Sequence, residues 1–442
     1  MKIHSYHTIL LFVIASLILS GCGNGSQKKS DSPGPKVVKV EQLGDRYSLT
    51  VDGQPFFVKG AGCEFGSIPE LALNGANSFR TWRTDNGQQT GQEVLDTALE
   101  HGLMVCMGIE VGRERHGFDY DDPEAVREQL EYVRQEVLKY KDHPALLAWG
   151  IGNELNLRST NPAVWDAVEE IAVMIKKIDP NHPVTTMLAG FGRELWEIIE
   201  PRCQSLDFLS FQFYADIVNL PRYIEEAGYE GPYLVTEWGA TGHWESPMTE
   251  WGRPIEQNSR GKAESYLFRY QSVIEADRER CLGSYVFLWG QKQERTPTWY
   301  GMFLENGDKT ASVDVMHYVW NGQWPENQTP RLDSLLMNGL TAHQNVRISP
   351  DQVCQAVVYT VDPDGDDLMI SWEIIPEVPE GKQSDGGDFE RRPETVETEY
   401  RNLNGTTVEF MAPAVEGAYR LFVYVSDGQG SSGTANLPFL VK

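Results

Sequence analysis

The sequence is short of positive charge. It sets 38 Lys and Arg against 64 Asp and Glu, a formal net charge of −26 over 442 residues. A surface that acidic repels phosphate backbones, so nucleic acid is not expected as a partner, while a neutral partner meets no net repulsion. Cysteine is also scarce. Beyond position 22 it occurs at Cys63, Cys106, Cys203, Cys281 and Cys354, with no CxxC pair and no Cys/His metal spacing. An odd, scattered set argues against a disulfide framework and leaves buried free thiols as the better reading. No metal and no cofactor are expected. Long apolar runs are missing past the N-terminus. The run there, ILLFVIASLIL, is too short to span a bilayer as a stable anchor. No Gly-rich phosphate loop follows the first apolar strand, which leaves a doubly wound open sheet without support. No internal repeat or low-complexity block occurs.

What is present starts with a targeting segment. A short, weakly basic MKIHSYH precedes the apolar run, and LSGC, Leu19 to Cys22, follows it. This resembles a bacterial lipobox, which implies cleavage before Cys22 and lipidation of that residue. Gly23 in place of Asp favours the outer membrane by the same resemblance. The expected location is therefore the bacterial cell envelope, with a lipid anchor through Cys22. GNGSQKKSDSPGPK, Gly23 to Lys36, reads as a flexible tether. Residues 1–21 are then the signal peptide and 22–36 the tether.

YSLTVDGQPFFVKG places two extended runs around Asp52-Gly53, a hairpin signal. Beyond it, short apolar runs alternate with amphipathic stretches. The runs are FFVKGAGCE, NSFRTWR, LMVCMGIE, LLAWGIGNE, VTTMLAG, LDFLSFQFY, YLVTEWG and SYVFLWGQ. Between them, PEAVREQLEYVRQEVLKYK and PAVWDAVEEIAVMIKKID carry apolar residues at helical spacing, with Asp or Asn before a leading Pro. Near-continuous apolar strands separated by helices indicate a parallel sheet covered on both faces. Eight such units predict a (β/α)8 barrel, a TIM barrel, over residues 37–325 with the hairpin at its start. From 326 to 442 the pattern becomes alternating strands with turn clusters, which predicts an immunoglobulin-like β-sandwich. DPDGDD, Asp362 to Asp367, offers hard oxygen donors for calcium but lacks the spacing and closing Glu of an EF-hand loop; a tight acidic turn is the better reading.

In such a barrel, catalytic groups stand where strands end. The runs end at Glu64; at Arg80 and Arg83 with Trp82 between; at Glu110; at Asn153 and Glu154; at Tyr214; at Glu237 and Trp238; and at Trp289 and Gln291. Paired carboxylates are what glycosidic cleavage needs, one protonated to assist the leaving oxygen and one ionised to attack. Glu154 and Glu237 end the fourth and seventh runs, nearly opposite around a ring of eight, and form the predicted pair. Arg80 is the expected cationic partner of Glu237, and Tyr214 a donor to the same carboxylate. Asn153 suits a sugar 2-hydroxyl, and Trp289 a flat apolar floor. Trp82, Trp238 and Glu110 complete the expected substrate contacts. His143 and His182, at strand entrances, are expected to be structural, and His243 to be a solvated loop residue. Aromatics make up 11% of the chain, with 12 Trp, and exposed rings stack on sugar faces, although most Trp pack in cores or rims. The long loop after the seventh run carries Trp244 and Trp251, and QKQERTPTWYGMF adds Trp299 and Tyr300. Such walls predict a cleft for several sugar units.

HPALLAWGIGNE with Glu154 and PYLVTEWG with Glu237 resemble the acid/base and nucleophile motifs of clan A retaining glycoside hydrolases. KGAGCEFG, GANSFRTWR and DPNHPVT extend the likeness. The pattern is most similar to the TIM-barrel domain of glycoside hydrolase family 2, with some likeness to β-1,3-glucanosyltransferases. The resemblance implies retention through a glycosyl-enzyme intermediate, with the carboxylates about 5–5.5 Å apart. Family 2 enzymes usually carry β-sandwiches before the barrel, whereas this chain has a hairpin before it and a sandwich after. The expected function is a retaining glycoside hydrolase acting on a β-linked oligo- or polysaccharide, with β-1,3-glucan as the guess. A transglycosylase would use the same carboxylates. A non-catalytic glycan-binding lipoprotein predicts loss of one of them, and both are present.

Overall fold

A computed structural model describes residues 34–384 and 388–442. The signal peptide, most of the tether and the lipidation site Cys22 lie outside the described residues. No helix among the described residues is long and apolar enough to cross a membrane.

The hairpin forms, with one strand more than expected. β1 (Val38–Leu43), β2 (Arg46–Val51) and β3 (Gln54–Pro55) make an antiparallel sheet. Asp52 and Gly53 turn between β2 and β3 at φ 50° and 75°, the left-handed pair that matches the twist of a hairpin. The sheet closes the N-terminal end of the barrel. Val38 and Leu49 pack with Val58, Met104, Leu147, Met187 and Leu282 in one apolar cluster.

Eight parallel strands close the barrel: β4 (Val58–Gly62), β5 (Ser78–Arg80), β6 (Met104–Ile109), β7 (Leu146–Asn153), β8 (Val184–Ala189), β9 (Leu209–Gln212), β10 (Tyr233–Glu237) and β11 (Cys281–Val286). A helix follows each strand: α1 (Ile68–Leu73), α2 (Gly91–Glu100), α3 (Pro123–Tyr140), α4 (Ala163–Ile178), α5 (Arg193–Ile199), α6 (Leu220–Ala227), α7 (Ser259–Arg269) and α8 (Ala311–Asn321). The cap read from sequence is in place at α3, whereas α4 is entered through Pro162 with Asn161 one residue before it. The Asp122 carboxylate accepts the backbone N–H of Glu124 at 2.9 Å, and Asn161 Oδ1 accepts that of Ala163 at 3.0 Å. The last strand begins at Cys281, three residues before the run SYVFLWGQ that announced it.

Residues after α8 form two four-stranded sheets. β12 (Arg331–Met337), β14 (Val353–Val361), β17 (Thr407–Met411) and β16 (Tyr400–Arg401) make one. β13 (Arg347–Ile348), β19 (Ser432–Val441), β18 (Gly417–Ser426) and β15 (Met369–Pro376) make the other. Trp372, Phe410, Leu421 and Phe439 fill the space between them. The sandwich is bonded to the barrel: buried Arg420 donates to Pro254 O at 2.7 Å, and Asn436 Nδ2 to Glu256 at 2.6 Å. In DPDGDD, Asp362 Oδ1 accepts the N–H groups of Asp364, Gly365 and Asp366 at 2.8–3.0 Å, the acidic turn. The five cysteines at 63, 106, 203, 281 and 354 are free thiols.

Candidate active site

Two of the strands that build the site are irregular where it matters. Along β10, Leu234 faces the barrel interior, so strict alternation would send Glu237 toward the helices. The pairing of β10 with β9 slips between Val235 and Glu237, and this bulge turns the carboxylate inward. β7 uses the same device, slipping against β8 between Ile151 and Asn153. Gly152 stands at the slip with φ +67°, and a Cβ there would meet the Leu155 side chain within 3.0 Å. Glu154 follows at φ 51°, a left-handed conformation costing on the order of 1–3 kcal/mol outside glycine. As a result Asn153 and Glu154, sequence neighbours, both face one cavity of about 490 Å³ that Glu237 also lines.

Glu237 is surrounded by donors. Its Oε1 accepts from Trp82 Nε1 at 2.9 Å, Gln212 Nε2 at 3.1 Å and Arg80 Nη1 at 3.3 Å; its Oε2 accepts from Tyr214 Oη at 3.1 Å. An ionised carboxylate is an acceptor only, and four donors fit that form. Arg80 is fully buried, and its Nη2 reaches Asn153 Oδ1 at 2.7 Å. Asn153 Oδ1 also accepts from Gln212 at 2.8 Å. With its oxygen held twice, the amide nitrogen of Asn153 is left on the cavity side to meet a hydroxyl. Burial raises the Tyr214 phenol well above its ordinary range, and the negative charge of Glu237 adds to the rise, so Tyr214 stays a donor.

Glu154 has the opposite surroundings. Burial first, then repulsion from Glu237, push its carboxyl up to about 8 against the pull of Arg115, Arg113 and Arg80. Arg115 spends its nearer nitrogen on the backbone oxygen of Glu154, while its other nitrogen lies 3.9 Å from Glu154 Oε2. The result is a carboxyl whose surroundings favour its protonated form, facing one held by four donors across a shared cavity.

Arg80, Trp82, Asn153, Glu154, Tyr214 and Glu237 thus come together as the sequence suggested. Trp238, Trp289 and Glu110 do not serve as expected. Trp238 follows the inward Glu237 and so points outward, fully buried against Tyr266 and Tyr270. Trp289 borders the cavity, but its ring is buried against Phe303 and Trp320 and its Nε1 donates to Ser67 O at 3.0 Å, so it braces the wall and offers no flat floor. β6 ends at Ile109, one residue short of Glu110, whose exposed side chain lies on an adjoining groove beside Val111 and Gln129. Among the loop aromatics, Trp244 faces the cavity. Trp299 and Tyr300 are buried, and Trp251 packs with Arg347 toward the sandwich. His243 is not solvated: its ring nitrogens meet Tyr300 Oη and Arg295 Nη2, each at 3.0 Å. His143 and His182 bind Asp96 and Asp179 at strand entrances, a structural use.

Sequence reasoning missed Gln212, Arg115 and a contribution from the sandwich. Gln212 was legible as the polar residue at an alternate position of LSFQ. Arg115 lies in a loop with no pattern. Asp388, Phe389 and Glu390 line the same cavity from the connection between β15 and β16, and no local signal joins them to the barrel.

Comparison with known proteins locates this architecture. Residues 73–248 match the glycosyl hydrolases family 2 TIM barrel domain. Mannan endo-1,4-beta-mannosidase F of Aspergillus clavatus is 37% identical over 150 residues, 30% of this chain and 34% of that protein. A beta-galactosidase of Vibrio vulnificus is 25% identical over 197 residues, 40% of this chain and 18% of that protein. The matched stretches therefore span about a third or less of these curated relatives. The structure of a beta-D-glucuronidase of Dictyoglomus thermophilum superposes with a TM-score of 0.50 at 16% identity, covering 65% of this chain and 54% of that one, a likeness of fold.

Proposed function

We propose, from a barrel that over residues 73–248 is a family 2 glycosyl hydrolase TIM-barrel domain, that this chain is a glycosidase cleaving β-glycosidic bonds with retention. The observation that carries the reading is the carboxyl pair: Glu154 and Glu237 line one cavity with opposite surroundings. Glu237 Oε2 attacks the anomeric carbon while Glu154 gives its proton to the departing glycosidic oxygen. Charge then develops on the sugar ring, and Arg80, Trp82 and Gln212 hold the carboxylate that faces it. Deprotonated Glu154 next takes a proton from water, whose oxygen displaces Glu237 and restores the starting state. Asn153 is positioned to hydrogen-bond the 2-hydroxyl throughout. A transglycosylase would admit a sugar hydroxyl in place of that water.

The test is a hydrolysis screen of aryl β-glycosides and β-linked polysaccharides with the Glu237→Gln variant as control and proton NMR of the first product anomer. β-1,3-Glucan belongs in the panel as the polymer expected from sequence, beside β-1,4-mannan and β-galactosides, the bonds for which the curated relatives are named. Retained configuration supports the reading, and an inverted first product sinks it. We further infer that Cys22 carries a lipid anchor and that the enzyme works at the bacterial cell envelope, supported by LSGC after the apolar run. Mass spectrometry of the N-terminal peptide would decide; an unmodified Cys22 removes the anchor.

A further inference from the structure

Most large aromatics of the barrel are buried, Trp149, Trp238, Trp289 and Trp299 among them. Three that line the active-site cavity are exposed: Phe65 at 62%, Trp244 at 57% and Phe389 at 90%. Phe65 follows β4 and Trp244 follows β10, but Phe389 comes from the sandwich. The residues on either side of it are tied to the barrel. Asp388 meets His116 Nε2 at 3.1 Å and lies 4.0 Å from Arg113. Glu390, buried, accepts from Arg295 N at 2.7 Å, Arg295 Nη1 at 3.0 Å, Gln293 Nε2 at 3.0 Å and Ser384 N at 2.9 Å. Arg295 in turn meets His243, whose ring packs edge-on against Trp244 with centroids 4.9 Å apart. Both neighbours of Phe389 are thus bonded to the barrel, while its own ring is exposed at the edge of the cavity.

We propose that the C-terminal sandwich is a working part of the substrate cleft, and that it presents Phe389 as a stacking platform for a sugar unit beyond the bond that is cut. The reading rests on the glycosidase function proposed above. The occupant follows from continuity, since one cavity holds both Phe389 and the carboxyl pair. The chemistry follows from the ring: its electron-rich face suits the weakly positive C–H face of a pyranose, and it needs no counter-charge. Glu390 acts as a positioning residue that holds this platform and, through Arg295 and His243, the one at Trp244.

The test compares the full chain with Phe389→Ala and Phe389→Trp. Two readouts are used: kcat/KM on β-1,4-mannohexaose and β-1,3-glucohexaose relative to the matching 4-nitrophenyl β-monoglycosides, and calorimetric affinity of the hexasaccharides for the Glu237→Gln chain with and without each change. Phe389→Ala is expected to lower the hexasaccharide-to-monoglycoside ratio and the hexasaccharide affinity by about tenfold, and Phe389→Trp to restore both. A ratio and an affinity that move less than twofold overturn the proposal while leaving the glycosidase reading intact. So does a Trp variant as impaired as the Ala variant, because packing and not stacking would then be at stake. A wild-type chain that neither hydrolyses nor binds these sugars or any other member of the β-glycoside panel above removes both readings together.

Discussion

At the floor of the barrel, Val38 and Leu49 of the N-terminal sheet pack with Val58, Met104 and Leu147 in a largely apolar layer, in which Ser78 and Tyr285 share a hydrogen bond of 2.7 Å. A few residues up the same strands, the interior holds Arg80, Asn153, Gln212 and Glu237, all buried and all polar. Apolar side chains of similar volume would fill that upper layer at lower cost, since each buried ion carries a desolvation penalty of about several kcal/mol. The mouth also holds a left-handed Glu154 and bulges in both carboxyl-bearing strands. The floor is therefore read as the source of stability, and the mouth as the place where stability is spent on chemistry.

Substitutions at the two ends should separate those roles. Glu237→Gln, at the mouth, is expected to lower kcat/KM by at least about 10⁴-fold, because the amide cannot form the covalent intermediate. Steady-state assays with a single-turnover control measure it, and retention of more than a hundredth of the activity would break the assignment. Glu154→Gln should cost about 10²–10⁴-fold on an oligosaccharide, whose leaving group needs a proton, and far less on an activated aryl glycoside. Equal losses on the two substrates argue against its role as the acid. At the floor, Leu49→Ala should cost about 2–5 kcal/mol in urea unfolding through the cavity it leaves, with kcat/KM at 25 °C kept within about twofold. A floor variant that loses activity without losing stability would dissolve the distinction.

The floor and the strand order were legible in the sequence because both rest on local periodicity. Apolar runs announce strands wherever they fall, and Asp-Gly or Asp-Pro pairs announce turns and caps. Glu154 and Glu237 were legible for the same reason, as polar ends of apolar runs. Their direction was not, since a slip in pairing depends on the neighbouring strand, and one residue of slip exchanges inside for outside. Trp238 shows the consequence: it belongs to the same motif as Glu237 but lies behind the wall. Trp289 ends its run as Asn153 does, yet packing with Trp320 and Phe303 claims its ring. Phe389 was beyond reach, because Asp388 and Glu390 find His116 and Arg295 across 272 and 95 positions of chain.

The comparison has a pH signature as its smallest test. In the folded chain the Glu154 carboxyl sits at about 8, against an ordinary value of 4.5. Between those values the folded state keeps a proton that the unfolded state has released. The unfolded state then binds fewer protons, so stability falls as pH rises. The contribution is whole below 4.5 and fully lost above about 8. A glutamine at 154 carries no such proton, so Glu154→Gln should gain on the wild type through that window by at most about 1.4 kcal/mol per pH unit, levelling off above it. Leu49→Ala, which removes only methyl groups from an apolar layer, should differ from the wild type by an amount that does not change with pH. Urea unfolding of the three proteins from pH 4 to 9 makes the measurement. A flat difference for Glu154→Gln would mean that the mouth holds no such strained proton, and the contrast between the two ends would then rest on catalysis alone.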